Sequence, residues 1–193
     1  MIEACQRDQL DELLGRPLGR QRLPECVRHL GRVVELVGED PSRDPRGLTE
    51  ETTAVREHVA KTVVEWAHCD AAGIVFYPYF YTWFDQGTER LFRANRLSYA
   101  ELRRDFGVAG MPLLETGARY TNACRLGDEL VMRTWVDEWA GRTFLVKHAI
   151  VHADGRPALE GFERRVWAVP DPAAPKGLRA IPIPEEAIAR FAD

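Results

Sequence analysis

One amphipathic helix followed by four strand-like segments is the pattern that most restricts how this chain can fold. The helix is predicted from Pro78 to about Asn95, because proline suits its first turn and apolar residues recur along one stripe. Four strand candidates follow, and glycine or proline marks the turns between them: 112–124, 129–139, 142–152 and 158–169. A single apolar helix next to an antiparallel meander can bury its apolar stripe efficiently only if the sheet wraps around the helix. We therefore expect an α+β domain built around one central helix.

Shorter elements flank this pattern. A valine-rich strand is predicted before the helix at 58–66, a second helix at 99–106 and a terminal helix at 185–191. Residues 1–57 differ from the rest, since two helical patterns, the longer at Leu23–Val37, precede a linker rich in proline and charged residues. We predict a helical extension over 1–57 and one folded domain over 58–193.

Composition excludes several classes of partner. The formal net charge is −4, so the chain lacks the excess of positive charge that is typical of proteins that bind nucleic acid or an anionic membrane. The N-terminus lacks an apolar run typical of a signal, and the most apolar stretch, 71–84, is too short to cross a bilayer. We expect a cytoplasmic protein whose four scattered cysteines are reduced thiols.

Several common catalytic and ligand-binding motifs are missing from the sequence. Neither of its two serines lies in a GxSxG turn, and no Walker loop, GxGxxG or HExxH motif is present. His148 and His152 share one face of a predicted strand, but their spacing is too wide for chelation, and we expect that face to be partly solvated. Cys69 and His68 are adjacent and point to opposite faces, which makes a poor nucleophile–base pair. We predict no metal and no cofactor.

The segment HCDAAGIVFYPYF carries the strongest functional signal. Seven of the eighteen aromatic residues lie between Phe76 and Phe84. Asp70 precedes the helix in a loop that Gly73 allows to bend, and the helix start near Tyr77 presents unpaired N–H groups. Such donors could hold a thioester oxygen while the carboxylate, or a water that it activates, attacks the carbonyl carbon. The alternative is that Asp70 only caps the following turn.

The stretch VEWAHCDAAGIVFYPYFYTWFDQGTERLF resembles the opening of the 4-hydroxybenzoyl-CoA thioesterase family. That family shows a strand, D-x-A-G-I-V-aromatic-aromatic-P and an aromatic helix with a second Asp fifteen residues after the first, a spacing that Asp70 and Asp85 share. The resemblance extends over 58–184 and includes GMPL, the EWAGRTF turn and LRAIPIP. Ala71 and Tyr79 replace the Pro and Asn that are common in the family. These positions belong to the acyl pocket, so the resemblance predicts the reaction more precisely than it predicts the acyl group of the substrate.

The resemblance implies a hotdog fold, in which the sheet wraps the long helix. It also implies hydrolysis of an acyl-CoA thioester to free acid and CoA, with an aromatic acyl group such as hydroxybenzoyl or benzoyl. Family members pair their sheets into dimers, often as dimers of dimers, with active sites at subunit interfaces. We therefore expect a homo-oligomer, with a homotetramer as the predicted assembly.

The resemblance also assigns roles to individual residues of this chain, by their positions in the family's motifs. Asp70 matches the catalytic carboxylate, which acts as nucleophile or general base, and Tyr77 matches the residue whose backbone N–H polarises the thioester carbonyl. Asp85 matches a helix carboxylate near the acyl pocket, although a solvated helix residue is an equal alternative. Arg142 and Arg179 match basic positions that hold the CoA nucleotide phosphates, a role suited to guanidinium.

Two other functions stay open at this point. A thioesterase that acts on carrier-protein-bound acyl chains would keep the same carboxylate without needing the two arginines. A ligand-sensing hotdog regulator would use residues 1–57 as a DNA-reading headpiece. That segment holds nine Arg and no Lys against twelve Asp plus Glu, a net charge of −3, whereas a DNA headpiece should be basic.

Overall fold

The computed structural model describes residues 57–174 and 176–192. The predicted helical extension therefore lies outside the described residues, apart from Glu57, and its helices and the proposed domain boundary stay predictions.

The described residues contain a main sheet, a small second sheet and three α-helices. The helices are α1 (Pro78–Ala94), α2 (Tyr99–Phe106) and α3 (Glu185–Ala189), and one 3₁₀ turn covers Trp66–His68. The strands are β1 (Glu57–Val63), β2 (Leu113–Tyr120), β3 (Glu129–Ala140), β4 (Thr143–His152), β5 (Pro157–Val166), β6 (Ala168–Pro170) and β7 (Leu178–Ala180). The helices and strands predicted within the described residues are confirmed, with bounds that shift by a few residues.

Two differences from the predicted pattern have a clear physical basis. The last predicted strand, 158–169, breaks at Trp167, whose side chain is fully buried and whose N–H donates to the Arg142 carbonyl. The chain then resumes as β6 and pairs with β7, which the sequence pattern did not predict. Strand β7 has only three residues, too few to show a hydrophobic period.

The main sheet is antiparallel, with the strand order β1–β3–β4–β5–β2. Strand β2 precedes β3 in the chain but pairs with β5, so among the described strands β1 and β2 form the two edges. We call the face that contacts α1 the inner face; it includes Leu130, Met132, Ile150 and Leu159. The alternating residues of the same strands form the outer face.

Glycines allow α1 to lie unusually close to the inner face. A Cβ atom at Gly161 would lie 2.3 Å from the Phe84 ring, and one at Gly87 would lie 2.6 Å from the Thr134 hydroxyl. The fully buried Phe84 ring also stacks on His148, with 4.5 Å between the ring centroids. This packing fixes the middle of α1 relative to the sheet.

Candidate active site

Asp70 lies in a tight loop between the 3₁₀ turn and α1. Its N–H donates to the Ile74 carbonyl at 2.9 Å, and the Gly73 N–H donates to the Asp70 carbonyl at 3.0 Å. Gly73 has φ +73°, in the left-handed region that glycine adopts readily, as the sequence predicted. The Ala72 N–H donates to Asp70 Oδ1 at 2.8 Å, and Oδ2 makes no hydrogen bond within the described residues. The carboxylate is exposed and oriented by its own loop.

The start of α1 presents an open backbone donor. Tyr77 is the N-cap and Pro78 occupies the first turn, where its missing N–H costs nothing. The N–H groups of Tyr79 and Phe80 donate to the Phe76 and Tyr77 carbonyls at 3.0 and 3.1 Å. Within the part of the chain that the structure describes, the Tyr77 N–H has no acceptor. It is therefore available to a ligand oxygen at the positive end of the helix dipole.

Aromatic side chains line the surface next to this donor. Phe76, Tyr77 and Tyr120 are exposed, and the Phe76 and Tyr77 rings meet edge to face at 5.2 Å. Tyr120, at the end of β2, contacts Phe80 with 5.6 Å between centroids. Partial burial, reinforced by the neighbouring Tyr81, raises the pKa of Tyr120 to about 12, so this phenol stays neutral at physiological pH. An apolar, uncharged wall of this kind suits an apolar or aromatic acyl group.

Asp85 lies further along α1 and is held by a buried arginine. Its side chain is 65% exposed, and Oδ1 accepts from Arg165 Nη2 at 2.6 Å. Arg165 is buried on β5, donates to the Met111 carbonyl at 3.2 Å and pairs with Glu163 Oε1 at 2.7 Å. Asp85 is thus neither purely solvated nor free, because a core ion pair fixes its direction.

The network continues into the core through Glu163 and His148. Thr88 Oγ1 donates to Glu163 Oε2 at 2.5 Å, and His148 Nε2 lies 3.4 Å from the same oxygen. Thr134 Oγ1 lies 3.1 Å from His148 Nδ1. Burial opposes ionisation of Glu163, but its contacts with His148 and Arg165 hold the pKa of this carboxyl down at about 2. Burial also lowers the pKa of His148 despite the facing Glu163 carboxylate.

The expectation of a partly solvated face for His148 and His152 is wrong. Both side chains are buried on the inner face, because strand alternation places them with the core residues of β4. His152 Nδ1 lies 3.5 Å from Asp128 Oδ2. Glu163 and Arg165 were not predicted as site residues from the sequence. Their spacing of two places them on one face of β5, so the period of the strand was a signal that could have paired them.

The two predicted phosphate-binding arginines lie at one end of the sheet. Arg142 is exposed in the β3–β4 turn, and no ion pair of its side chain is present among the described residues. Arg179 lies on β7, and its Nε donates to Asp171 Oδ2 at 3.0 Å. The Trp167 N–H donates to the Arg142 carbonyl, and the Ile181 N–H donates to the Trp167 carbonyl. These two backbone hydrogen bonds connect the turn that carries Arg142 to the segment that directly follows Arg179.

Asp70 lies at the opposite end of the sheet from these arginines. Arg142 directly precedes the start of β4, whereas the last residue of β4, His152, contacts Asp128. That end is tied to the Asp70 loop through the bridge between Ile74 and Arg125. The nine residue steps along β4 span roughly 30 Å. Within one chain, the structure does not bring Asp70 together with Arg142 and Arg179.

The described residues contain no cluster of three or more His, Cys, Asp or Glu side chains that could hold a metal ion. None of the described helices has the length and apolar character that crossing a membrane requires.

Comparison with known proteins decides the family. Residues 64–191 match the family described as "Thioesterase-like superfamily". The chain belongs to this superfamily. A 4-hydroxybenzoyl-CoA thioesterase of Pseudomonas sp. (strain CBS-3) is 26% identical over 130 residues, which cover 65% of this chain and 90% of the relative. The predicted family and the predicted enzyme class, a thioester hydrolase, are confirmed at this level.

Solved structures show the same fold. The Pseudomonas sp. enzyme aligns with a TM-score of 0.63 at 25% identity, covering 70% of this chain and 99% of that one. An aspartate-to-asparagine mutant of a 4-hydroxybenzoyl-CoA thioesterase, complexed with 4-hydroxybenzoyl-CoA, aligns with a TM-score of 0.64 at 26% identity over 70% and 99%. A gentisyl-coenzyme A thioesterase aligns with a TM-score of 0.58 at 29% identity over 70% and 100%. The predicted hotdog fold is confirmed, whereas the roles of the individual site residues stay predictions.

Replacing Glu163 by glutamine tests the buried network. At neutral pH we expect the free energy of unfolding to fall by roughly 3–5 kcal/mol, because Arg165 loses its buried counter-charge. The folded-state pKa of about 2 lies below the ordinary value of 4.5, so this stabilisation is complete above pH 4.5 and is lost as pH falls toward 2. Urea unfolding between pH 7 and pH 2 should therefore show the difference between variant and wild type shrinking with acid.

Glu160→Gln is the matched control, since Glu160 lies on the outer face of the same strand and outside the network. A Glu163→Gln difference that does not depend on pH would contradict the assigned ionisation of Glu163.

Proposed function

We propose that this protein hydrolyses an acyl-CoA thioester, with an aromatic acyl group such as hydroxybenzoyl or benzoyl, to the free acid and CoA. The observation that carries the proposal is the exposed, loop-oriented Asp70 carboxylate before a helix whose Tyr77 N–H is open. The names of the relatives support the substrate class, since they act on 4-hydroxybenzoyl-CoA and gentisyl-CoA. The aromatic wall beside Tyr77 supports an aromatic acyl group.

The proposed chemistry uses the carboxylate and the helix end together. Asp70 either attacks the thioester carbon, forming a mixed anhydride as CoA leaves as its thiolate, or removes a proton from the attacking water. In the first route, water then hydrolyses the anhydride and returns the carboxylate. In both routes negative charge grows on the carbonyl oxygen, where the Tyr77 N–H and the helix dipole stabilise it.

Asp85 is proposed as a polar group facing the acyl ring. The buried Arg165 holds one of its oxygens, while the exposed carboxylate keeps further acceptor capacity. A ring hydroxyl could donate to that capacity, which favours a hydroxybenzoyl over an unsubstituted benzoyl group. Glu163 acts indirectly, because it holds Arg165, and His148 contacts only Glu163 of this group. Neither touches the substrate in this proposal.

The site is proposed to need two chains. Asp70 and the arginines lie at opposite ends of one sheet, so a single chain presents half of each site. Edge strand β2 exposes Leu113, Leu114 and Tyr120. Antiparallel pairing of two β2 edges would bring the Asp70 end of one chain beside the Arg142 end of its partner. A dimer is therefore the minimal active unit, and the dimer of dimers and the cytoplasmic location stay predictions.

Replacing Asp70 by asparagine separates catalysis from capping. The Asn side-chain oxygen can still accept from the Ala72 N–H, so we expect unchanged thermal stability. The amide can neither attack nor remove a proton, so kcat on 4-hydroxybenzoyl-CoA should fall by about 10²–10⁴-fold. Asp128→Asn is the matched control, because Asp128 also accepts from a loop N–H, that of Arg125. Unchanged turnover by the Asp70 variant would assign Asp70 to capping alone.

Replacing Arg142 or Arg179 by alanine tests CoA recognition against carrier-protein recognition. Each variant should raise KM for benzoyl-CoA roughly tenfold, the effect of losing one charge-assisted phosphate contact. Hydrolysis of S-benzoyl-pantetheine, which lacks the nucleotide, should be unchanged. Arg164→Ala, on the outer face of β5, provides the control. Equal effects on both esters, or none on either, would remove the phosphate role and favour the carrier-protein alternative.

A proline at Ala118 tests the two-chain site. The Thr121 N–H donates to Ala158 of β5, so by alternation the Ala118 N–H points to the free edge. Ala118→Pro should leave the β2–β5 pairing intact but block β2–β2 pairing, giving an inactive monomer by light scattering. Ala118→Val has similar bulk and keeps the N–H, so it should remain an active dimer. A fully active monomer in either protein would overturn the two-chain site.

A further inference from the structure

The outer face of the main sheet carries an apolar patch that is hidden from solvent. Val131 of β3 and Val151 of β4 are directly paired and are only 5% and 2% exposed. Ala149, two residues along β4, is 4% exposed. These three side chains alternate with the inner-face residues, so they point away from α1. Their burial requires a layer on the outer side of the sheet.

No described element supplies that layer. The described helices make their hydrophobic contacts in two clusters on the inner face, whereas Val131 and Val151 form a cluster without a helical member. Neighbouring strands do not explain the burial either. Val59 lies on the same face of the adjacent strand β1 and is 48% exposed. The cover therefore extends over the centre of the sheet and stops short of the β1 edge.

We propose that residues 23–37 of the same chain bind this patch. The segment carries an apolar stripe at helical spacing that includes Val27, Leu30, Val34 and Val37, the pattern of a helix that buries one side. Residues 1–56 are the only stretch of this chain outside the described residues that is long enough to form a layer. A helix of fifteen residues is about 22 Å long, enough to cover the patch on β3 and β4.

The connection to the sheet fits the same-chain arrangement. Residue 56 leads directly into β1, which pairs with β3, so the segment enters the sheet one strand from the patch. The patch lies one to two strand spacings from β1, a distance of about 5–10 Å. The residues between Val37 and Glu57 can span roughly 60 Å when extended, so the linker does not restrict the docking. This interaction is independent of the proposed reaction.

Thiol labelling of the full chain tests the docking. Val151→Cys should react slowly with N-ethylmaleimide, and Val59→Cys on the same face should react fast, with peptide mass spectrometry separating both from the native cysteines. Adding Leu30→Asp and Val34→Asp should accelerate labelling at position 151 by roughly tenfold or more, because a carboxylate on the stripe opposes docking. Arg32→Asp, on the other side of the predicted helix, should not. Rapid labelling of Val151→Cys in the unmodified background would overturn the proposal.

A crosslink gives a second measurement that needs no destabilising change. Cys26 lies within the segment, so mild oxidation with copper phenanthroline should join it to the cysteine of Val151→Cys as a disulfide inside one chain, because two thiols buried against each other need no bulky reagent. The product should run as a monomer on a non-reducing denaturing gel with both free thiols lost, and it should form less readily with Val59→Cys. A disulfide found only between two chains would assign the cover to a second copy and contradict the same-chain docking.

Discussion

The close contact between α1 and the inner face of the sheet determines where the candidate site residues Tyr77 and Asp85 lie. Phe84 packs against Gly161 with no room for a side chain there, and it stacks on His148. Because the interior is close-packed, the helix cannot slide or rotate without displacing this ring. The Tyr77 end and the Asp85 position are therefore fixed together by one apolar contact between residues that lie far apart in the chain.

A row of polar and charged side chains crosses this apolar interior from His148 to Asp85. Burying ions is costly, and Glu163 and Arg165 offset that cost by facing each other and by bonding to Thr88 and the Met111 carbonyl. An apolar pair of similar volume would hold the sheet as well. The charged pair adds something that an apolar pair cannot, since it reaches a carboxylate at the surface and fixes its direction.

The sequence predicted what depends on local pattern. The start of α1 at Pro78, the bend at Gly73 and the turns between β3, β4 and β5 follow from short-range chemistry, and all are present. Burial of His148 was missed because the face of a strand is decided by its register with distant strands. Strand β7 was missed for a related reason, since its pairing with β6 crosses a loop and leaves no repeat in the sequence.

The separation of Asp70 from Arg142 along the sheet has a consequence for the enzyme's behaviour in solution. If each site is shared by two chains, the number of complete sites depends on association and therefore on protein concentration. Specific activity would then decline on dilution below the dissociation constant of the pair, although every chain remained folded. Catalytic competence would be a property of the assembled pair, which sets a lower limit on the cellular abundance at which this thioesterase can work.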